Sequence, residues 1–377
     1  MEKIFIIVPT LIGHGEERMA ALAAEVLQKK YDVALIIFSK ANQQYFPDCR
    51  IVDLNVPTVE RISGKIINVF RRAYLIKKLR LKEKPSAVIS LGTSANFANI
   101  LSRGTGKSII SFRGYATVKK GLSFILSCAF ADKIFCISRD LKKQLITILP
   151  WAEKKTSVIY NRIDMDAIDK LKNEECSFNP QKPSFVSVGR LEHVKGQDHL
   201  LRAFKIVSDK IDSATLTFIG DGTLKSELVQ LADDLLISDK VFFLGAKKNP
   251  FKYMRKCDVC VQTSISEGFL NVLVEAFACD VPVISTDCRS GPREILSETT
   301  ECIRGEGIQY EKYGILVPSF EKYGSDEPQK EMLLASAMEQ LVTNSDLYSK
   351  YKEIVRQRAG DFSVEAYFRD LDRIIGE

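Results

Sequence analysis

Short apolar runs rich in β-branched residues alternate along this chain with segments of helical period. Five runs fall in the first part of the chain and five more follow a gap: 3–8, 32–38, 86–91, 107–112 and 132–137, then 184–188, 214–219, 240–244, 258–262 and 281–285. Such runs are typical of strands that are buried on both faces, with a helix crossing over to the next parallel strand. The alternation therefore predicts an α/β fold with two parallel sheets, each covered by helices.

The length of the chain also indicates two domains, because 377 residues with 45% apolar side chains exceed what one comfortable core holds. The polar stretch 170–183 is the best candidate for a linker. Two long helical patterns near the C-terminus are expected to close or bridge the domains. The expected parts are a first domain (1–168), a second domain (169–360), a terminal helix packing back on the first domain (361–377), and the helical patterns 331–358 and 363–375.

Charge is divided unevenly between the two halves. The formal net charge is +6, with about +14 over residues 1–160 and about −8 over residues 161–377. A basic first half suits nucleic acid, an anionic membrane or a lipid-linked phosphate. No nucleic-acid-binding motif accompanies these cations, so nucleic acid is not an expected partner.

Cysteine usage and apolar run lengths indicate where the protein works. The nine cysteines are an odd number and lie mostly inside apolar runs, which is typical of a reduced, cytoplasmic protein. Cys257 and Cys260 have the spacing of half a zinc site, but no second pair accompanies them. The longest apolar stretch, 121–131, is too short to cross a bilayer, and the N-terminal run is too short for a signal peptide. Any membrane contact is therefore expected to be peripheral, on the inner face of the cell membrane.

The strongest local motif runs from Gln262 to Glu275. A strand ends near Gln262, a turn contains Gly268, and a helix begins near Leu270. The unpaired N–H groups of such a helix start, at the edge of a sheet where ligands bind, suit a diphosphate. Glu267 lies in the turn and Glu275 in the helix, and carboxylates accept hydrogen bonds from sugar hydroxyls. Alternatively, Glu267 only caps the helix and Glu275 is solvated, although the neighbours of Glu275 are apolar.

A second motif follows the first strand of the second half. Arg190 lies on the loop after Gly189, and Lys195 lies five residues further on, where the next helix starts. Two cations at one loop can neutralise a diphosphate, the arginine through its planar fork and the lysine as a point charge. The alternative is two ordinary solvated cations beside a turn.

Five segments together carry a resemblance to a known family: Gly189-Arg-Leu, Lys195-Gly, Phe218-Ile-Gly-Asp-Gly222, Ser266-Glu-Gly-Phe-Leu-Asn-Val-Leu-Val-Glu275-Ala and Ser290-Gly-Pro-Arg-Glu-Ile-Leu296. They resemble the family 4 retaining glycosyltransferases of the GT-B fold, closely over 155–320 and more loosely upstream. The run from Asp287 to Ile295 is most similar to enzymes that build capsules, O-antigens and other bacterial surface glycans on a polyprenyl diphosphate.

The resemblance implies roles for individual residues. Arg190 and Lys195 would grip the donor diphosphate and stabilise the departing nucleotide, Glu275 would bind the ribose, and Glu267 would contact the transferred sugar. Glu267, Arg190 and Lys195 form the implied catalytic set. The implied donor-binding residues are Arg190, Lys195, Gly220, Gly222, Glu267, Gly268, Phe269, Leu270, Asn271, Val272 and Glu275. No metal and no cofactor is implied.

The implied reaction is retaining transfer of a hexose or N-acetylhexosamine, with N-acetylgalactosamine as the first candidate. The donor would be a UDP-sugar rather than a GDP-sugar, and the acceptor a saccharide on a polyprenyl diphosphate, bound in a cleft between the domains. One alternative is a UDP-N-acetylglucosamine 2-epimerase of similar architecture, although the three histidines offer few acid–base groups. The other is a non-catalytic glycosyltransferase-like partner subunit, although Arg190, Lys195, Glu267 and Glu275 are all present.

The first half departs from the family pattern on the acceptor side. Relatives often have Gly-Gly-Ala-Glu-Arg after the first strand, where this chain has Gly13-His-Gly15 followed by Glu-Glu-Arg18. The glycines still let the backbone approach a ligand, and His14 is either near the acceptor or a solvated loop residue. Many members carry a histidine after the fourth strand, but this chain offers Arg113 there. Arg113 is interpreted either as a contact to the donor sugar or an acceptor phosphate, or as part of a structural salt bridge.

The basic charge of the first half is concentrated in 61–84, which holds nine Lys or Arg and one acid. Apolar residues recur there at helical spacing: 66, 69, 70, 76 and 79. We expect this apolar face to pack on the sheet and the cations to cover the remaining surface. Such a helix favours an anionic membrane surface, at about 1 kcal/mol for each cation close to it.

Overall fold

The computed structural model describes residues 1–12, 15–40, 43, 47–57, 59, 62–119, 121–297 and 305–377, without the side chains of 62, 63 and 65. The chain divides into two compact units. The first comprises Met1–Arg162 and Val364–Glu377, and the second comprises Ile163–Ser363. Both are α/β units, as the alternation of strands and helices predicts.

The first unit is built on a parallel sheet with the order β3-β2-β1-β4-β5-β6-β7. Its strands are β1 (Lys3–Val8), β2 (Asp32–Ile37), β3 (Arg50–Asp53), β4 (Ala87–Leu91), β5 (Lys107–Phe112), β6 (Lys133–Cys136) and β7 (Thr156–Val158). Its helices are α1 (Gly15–Leu27), α2 (Ile62–Glu83), α3 (Thr93–Leu101), α4 (Leu122–Phe130), α5 (Arg139–Ile148) and α14 (Val364–Gly376).

Cores form on both faces of this sheet. Successive side chains of β1 alternate, so Ile4 and Ile6 enter one core and Phe5 and Ile7 the other. Helices α1 and α14 pack together on the first face. Right-handed crossovers place α2, α3 and α4 on the opposite face, where α3 contacts both of its neighbours.

The second unit contains a sheet with the order β10-β9-β8-β11-β12-β14-β13, in which β13 is antiparallel to β14. Its strands are β8 (Ser184–Val188), β9 (Thr215–Ile219), β10 (Val241–Phe243), β11 (Val259–Gln262), β12 (Val283–Thr286), β13 (Gln309–Tyr310) and β14 (Ile315–Val317). Its helices are α6 (Met165–Lys172), α7 (Gln197–Lys210), α8 (Lys225–Asp234), α9 (Phe251–Met254), α10 (Asn271–Ala278), α11 (Pro292–Leu296), α12 (Pro328–Thr343) and α13 (Ser345–Gly360).

The strand order of each sheet reverses at one place. In the first sheet β1 pairs with both β2 and β4, and in the second sheet β8 pairs with both β9 and β11. Ligands of open α/β sheets bind outside the carboxyl ends of the strands at such a reversal. In the second unit this edge is formed by the loops after β8 and β11, which carry the two motifs found in the sequence.

Four strands escape the sequence prediction. They are β3, β7, β13 and β14, and three of them are the outer strands of their sheets. An outer strand needs no continuous apolar run, since one of its sides has no strand neighbour.

The helical pattern 331–358 also differs from the prediction, because it forms two helices rather than one. Asn344 separates them, because its side-chain oxygen accepts a 3.0 Å hydrogen bond from the Leu347 N–H and caps α13.

Candidate active site

The loop after β8 carries two cations that differ in their surroundings. Arg190 follows Gly189, and Lys195 ends a short 3-10 turn that leads into α7. The Arg190 side chain is 64% exposed and lies 2.6 Å from the Glu192 carboxylate, a near neighbour in sequence. Lys195 is only 16% exposed. Arg190 therefore faces solvent, whereas Lys195 is mostly buried at the carboxyl edge of the second sheet.

Lys195 forms an ion pair with Glu267, with 2.6 Å between Nζ and Oε1. Glu267 is 15% exposed and lies in the turn after β11, so the pair joins the loops that follow two neighbouring strands. Backbone contacts hold the two loops together. The Thr263 hydroxyl donates to the Lys195 carbonyl at 3.0 Å, and the Ile265 N–H donates to the Val194 carbonyl at 2.8 Å. Two of the three implied catalytic residues are thus in contact.

The loop after β9 supports the Arg190 loop at close range. The Gly189 N–H donates to the Ile219 carbonyl at 3.0 Å. A Cβ at Gly220 would lie 1.9 Å from the Gly189 carbonyl oxygen, and one at Gly222 would lie 2.3 Å from the Leu191 carbonyl oxygen. Glycine is therefore required at both positions for the loops to touch. The contact between the two loops is therefore sufficient to explain why Gly220 and Gly222 are glycines, and no contact with a ligand is needed for that explanation.

The turn that contains Glu267 rests on the loop after β12. The Glu267 N–H donates to the Arg289 carbonyl at 2.6 Å, and the Ser290 N–H donates back to the Glu267 carbonyl at 2.9 Å. The Ser290 hydroxyl donates to the Gly268 carbonyl at 2.8 Å. Ser290 thus positions the turn, a role that sequence reasoning did not assign to it.

Arg293 also holds the loop after β12 in place. Its side chain is 7% exposed and donates to Asp287 at 2.7 Å and to Glu311 at 3.1 Å. A buried, forked contact of this kind holds a loop in one geometry. The contact between Asp287 and Arg293 could have been predicted from the sequence, because both residues belong to the run from Asp287 to Ile295. The contact between Arg293 and Glu311 has no local sequence pattern.

Helix α10 begins at Asn271, directly after the Glu267 turn, and no side chain caps its N-terminus. The positive end of its dipole therefore lies at the edge where Lys195 and Glu267 meet. Two backbone N–H groups in the first turn of α10 already have local partners. The Asn271 N–H donates to the Phe269 carbonyl at 2.9 Å, and the Leu273 N–H donates to the Leu270 carbonyl at 3.1 Å.

Glu275 lies one turn into α10 and is 8% exposed, on a helix that is buried from Val272 to Ala278. Burial raises the pKa of the nearby Cys260 thiol to about 12, and the Glu275 charge adds to this effect. A buried carboxylate among apolar neighbours is not a solvated face residue, so that alternative is wrong. Nor is Cys260 a reactive thiol, since it stays protonated near neutral pH.

The acceptor-side residues of the first unit fall into two groups. Gly13 and His14 lie outside the described residues, and Gly15 is the first residue of α1. Arg113 directly follows β5, is 9% exposed and donates a hydrogen bond to the Asn161 side-chain oxygen. Burial lowers the pKa of Arg113. No carboxylate of the described residues lies within ion-pair distance, so the interpretation of Arg113 as a salt-bridge residue is wrong.

Two negative findings apply to the described part of the chain. No group of three or more His, Cys, Asp or Glu side chains is arranged there to hold a metal ion. No helix there is both long and apolar enough to span a bilayer.

Helix α2 does not pack as its apolar pattern predicts. Ile76 is buried, but Ile66 is 55% and Phe70 62% exposed, whereas Arg72 and Arg80 are buried. The expectation that the apolar face packs on the sheet and all cations point outward is therefore wrong. The pattern misleads because both faces of α2 mix apolar and basic residues, and the inward arginines find carbonyl partners that lie far away in sequence.

The outer face of α2 therefore combines two kinds of side chain. It presents the apolar residues Ile66, Ile67, Phe70, Tyr74 and Leu81 together with the cations Arg71, Lys77, Lys78 and Lys82. No acidic residue is exposed on the described part of this helix, since Glu83 is half-buried and paired with Lys3 and Arg50. Five exposed large apolar side chains on one helix form a patch of the kind that marks an interaction surface.

Comparison with known proteins shows the family to which the chain belongs. The sequence profile of the family described as glycosyl transferases group 1 matches residues 169–312, which include both motifs. An uncharacterized glycosyltransferase of Methanocaldococcus jannaschii is 33% identical over 339 residues, covering 81% of this chain and 83% of that protein. The chain belongs to the group 1 glycosyl transferases, and it is a glycosyltransferase.

A second relative and a solved structure extend the likeness to the whole chain. The N-acetylgalactosamine-N,N'-diacetylbacillosaminyl-diphospho-undecaprenol 4-alpha-N-acetylgalactosaminyltransferase of Campylobacter jejuni is 27% identical over 386 residues, covering 98% of both chains. The crystal structure of Anabaena HepE in complex with UDP and glucose has a TM-score of 0.73 and 17% identity, covering 100% of both chains. This structural likeness confirms the predicted GT-B fold.

Proposed function

We propose that this protein transfers a sugar, with retention of configuration, from a UDP-sugar to a polyprenyl-diphosphate-linked saccharide during bacterial surface polysaccharide biosynthesis. The observation that carries the proposal is the 2.6 Å contact of Lys195 with Glu267 at the carboxyl edge of the second sheet, beside Arg190 and the start of α10. The relative from Campylobacter jejuni, which is named for a diphospho-undecaprenol acceptor, supports the acceptor class. The complex of the Anabaena protein with UDP and glucose supports the donor class.

The donor diphosphate would be held by two cations and a helix end. Lys195 is paired with Glu267, and Arg190 with Glu192. A diphosphate carries more negative charge than a single carboxylate and competes for both cations. Lys195 would then turn toward the phosphates, which releases the Glu267 carboxylate to accept hydrogen bonds from the hydroxyls of the transferred sugar. The buried Glu275 carboxylate would accept those of the ribose.

The chemistry needs no nucleophile from the protein under this proposal. The acceptor hydroxyl attacks on the face from which the nucleotide leaves, and the departing phosphate takes up its proton. The protein contributes orientation and stabilisation of the charge that develops on the leaving diphosphate. Arg190, Lys195 and the start of α10 supply positive charge there, and the reaction is proposed to proceed without a metal or another cofactor.

N-acetylgalactosamine is proposed as the first candidate for the transferred sugar, because the name of the Campylobacter jejuni relative specifies that sugar. The test is transfer from a panel of UDP- and GDP-sugars to a short-chain polyprenyl diphosphate saccharide. We expect turnover with a UDP-N-acetylhexosamine, an α-linked product from the α-linked donor, and an undiminished rate in EDTA. A lack of turnover with every donor, together with no thermal shift in UDP or GDP, would overturn the proposal.

The protein is further proposed to work in the cytoplasm, peripherally on the inner face of the membrane, through the outer face of α2. Phe70 and Ile67 can enter the interface while Lys77, Lys78 and Arg71 contact anionic headgroups. Sedimentation with vesicles should therefore require anionic lipid and weaken with salt. Phe70→Glu should reduce binding, and Met332→Glu, which charges an exposed apolar residue of α12, should leave it unchanged. Binding that ignores lipid charge, salt and Phe70→Glu would refute this surface.

A further inference from the structure

The first unit buries several arginines, and Arg80 shows how such a charge is normally accommodated. Its side chain is completely buried. It donates to the carbonyl oxygens of Thr105, Gly106 and Asn99 at 3.0, 2.8 and 3.3 Å, and to the Ser108 hydroxyl at 3.2 Å. The guanidinium is thus surrounded by acceptors that replace water. Arg80 is a structural residue that ties α2 to the start of β5.

Two further buried arginines of this unit also have interaction partners. Arg72 donates twice to the Val56 carbonyl, at 3.1 and 2.8 Å, and its guanidinium lies 4.2 Å from the centre of the Phe38 ring. Arg162 forms an ion pair of 2.7 Å with Asp370. Each of these buried cations therefore has a carboxylate, or a carbonyl and an aromatic face, close to it.

Arg113 lacks such an environment, although it is 9% exposed. Its one hydrogen bond among the described residues goes to the Asn161 side-chain oxygen, which is a neutral acceptor. Glu16 is the acidic residue that acts on its charge, but it lies beyond ion-pair distance. A guanidinium has five N–H groups, so most of the donor capacity of Arg113 remains unused. Among the described residues, no nitrogen of Arg113 is both fully buried and without a partner, so its remaining N–H groups are accessible to a ligand. A mostly buried cation of this kind is stabilised when an anion completes its surroundings.

A second donor lies close enough to Arg113 for their charges to interact. Tyr367 of α14 is 1% exposed, and its hydroxyl has no hydrogen-bond partner among the described residues. Burial raises the pKa of Tyr367, and the charge of Arg113 acts in the opposite direction, which places the two side chains near each other. Arg113 follows the carboxyl end of β5, the edge of the sheet where ligands bind. Two unsatisfied donors at this edge suit an acceptor-rich anion.

We infer that Arg113, oriented by Asn161 and assisted by the Tyr367 hydroxyl, binds a phosphate group of the polyprenyl diphosphate acceptor. The planar fork of arginine matches phosphate oxygens. The acceptor is the source favoured by position, because the cations Arg190 and Lys195 at the edge of the second sheet already serve the donor. The inference rests on the proposed function for the identity of the phosphate compound and for the assignment of Arg190 and Lys195 to the donor.

The decisive experiment measures binding of geranyl diphosphate and, separately, of UDP to the full-length protein by calorimetry. Arg113→Gln should weaken geranyl diphosphate binding by about tenfold or more, the effect of losing a charged hydrogen bond. UDP affinity should be unchanged. Arg103→Gln removes an exposed arginine of the same unit that pairs with Asp132, and it should alter neither affinity.

A second variant separates binding from a purely structural role. Asn161→Asp places a carboxylate on Arg113 without a change of size, so it should raise the melting temperature and compete with the diphosphate. Arg113→Gln should melt at or above the wild-type temperature, because it removes a buried charge that lacks a counter-ion. If Arg113 were structural, Arg113→Gln would instead melt several degrees lower, and geranyl diphosphate affinity would be unchanged in both variants.

The outcomes are distinct from those that test the proposed function. Failure of the wild-type protein to bind UDP would overturn the proposed function. UDP binding with no geranyl diphosphate binding, or with geranyl diphosphate affinity that Arg113→Gln leaves intact, would overturn the inference alone. A fall in UDP affinity in Arg113→Gln would assign the phosphate to the donor and would likewise overturn it.

Discussion

The carboxyl edges of the two sheets differ in how a buried or half-buried cation is paired. In the second unit Lys195 is paired with Glu267 at 2.6 Å, so this edge is nearly neutral before any ligand arrives. In the first unit Arg113 is buried against the amide of Asn161, and no carboxylate of the described residues lies within ion-pair distance. A pre-paired site favours stability and exchanges one partner for another on binding, whereas an uncompensated cation gives up stability for affinity.

The largest effect expected from this contrast is that of Lys195→Ala. Transfer should fall by about a thousandfold, because under the proposed function the leaving diphosphate loses one of the two cations that stabilise its charge. The measurement is kcat at saturating donor. Lys205→Ala removes a lysine of α7 that pairs with Asp209 on the surface, and it serves as the matched control with wild-type activity. Wild-type kcat in Lys195→Ala would show that the pair with Glu267 is only structural.

Glu275→Ala tests the buried carboxylate at the same edge. UDP affinity should fall by about 10–100-fold, the range expected when charged hydrogen bonds to ribose hydroxyls are lost. Calorimetry with UDP measures the change directly. Glu339→Ala, which removes a partly exposed glutamate paired with Lys210, should bind UDP as the wild type does. Equal affinities in the two variants would remove Glu275 from the donor site.

The sequence made the second edge easier to predict than the first. Arg190 and Lys195 lie five residues apart on one loop, and Glu267 and Glu275 belong to one turn and helix, so short-range spacing places each group on its own. The contact between Lys195 and Glu267 spans 72 residues, and it follows only from the adjacency of β8 and β11.

Other features depended on tertiary contacts that no local pattern carries. The inward turn of Arg80 in α2 is fixed by carbonyls of 105 and 106 at the start of β5. That Arg113 has no carboxylate within ion-pair distance among the described residues depends on tertiary packing, because its partner Asn161 is 48 residues away in the sequence. The outer strands β3, β7 and β13 were missed because a strand with one free side needs little apolar sequence.

Gly220→Ala tests whether the second edge depends on the contact between its loops. The new methyl group would lie 1.9 Å from the Gly189 carbonyl oxygen, so the Arg190 loop must shift. We expect a loss of unfolding free energy of about 1–3 kcal/mol, the usual cost of overpacking, together with weaker UDP binding. Gly245→Ala is the control, since its φ of 73° is also positive but no atom lies within 4 Å of the new Cβ. Equal losses in both would attribute the effect to backbone strain alone.

The smallest expected effect is a pH dependence of stability that originates at His199 in the second unit. His199 of α7 is completely buried, and its Nδ1 lies 2.8 Å from Glu331. Burial works against its charge, but Glu331, the Lys322 carbonyl and Asp198 outweigh it and raise the pKa of His199 above the ordinary value.

A histidine pKa that is raised by folding stabilises the folded state at low pH. The contribution is complete below the unfolded-state pKa of about 6.5 and is lost as the pH rises through the higher folded-state pKa. The free energy of unfolding should therefore decline above neutral pH, by about 1 kcal/mol or less. Glu331→Gln removes the principal charge partner and should flatten this decline in urea titrations at several pH values. An equally steep decline in Glu331→Gln would show that the proton responsible is not on His199.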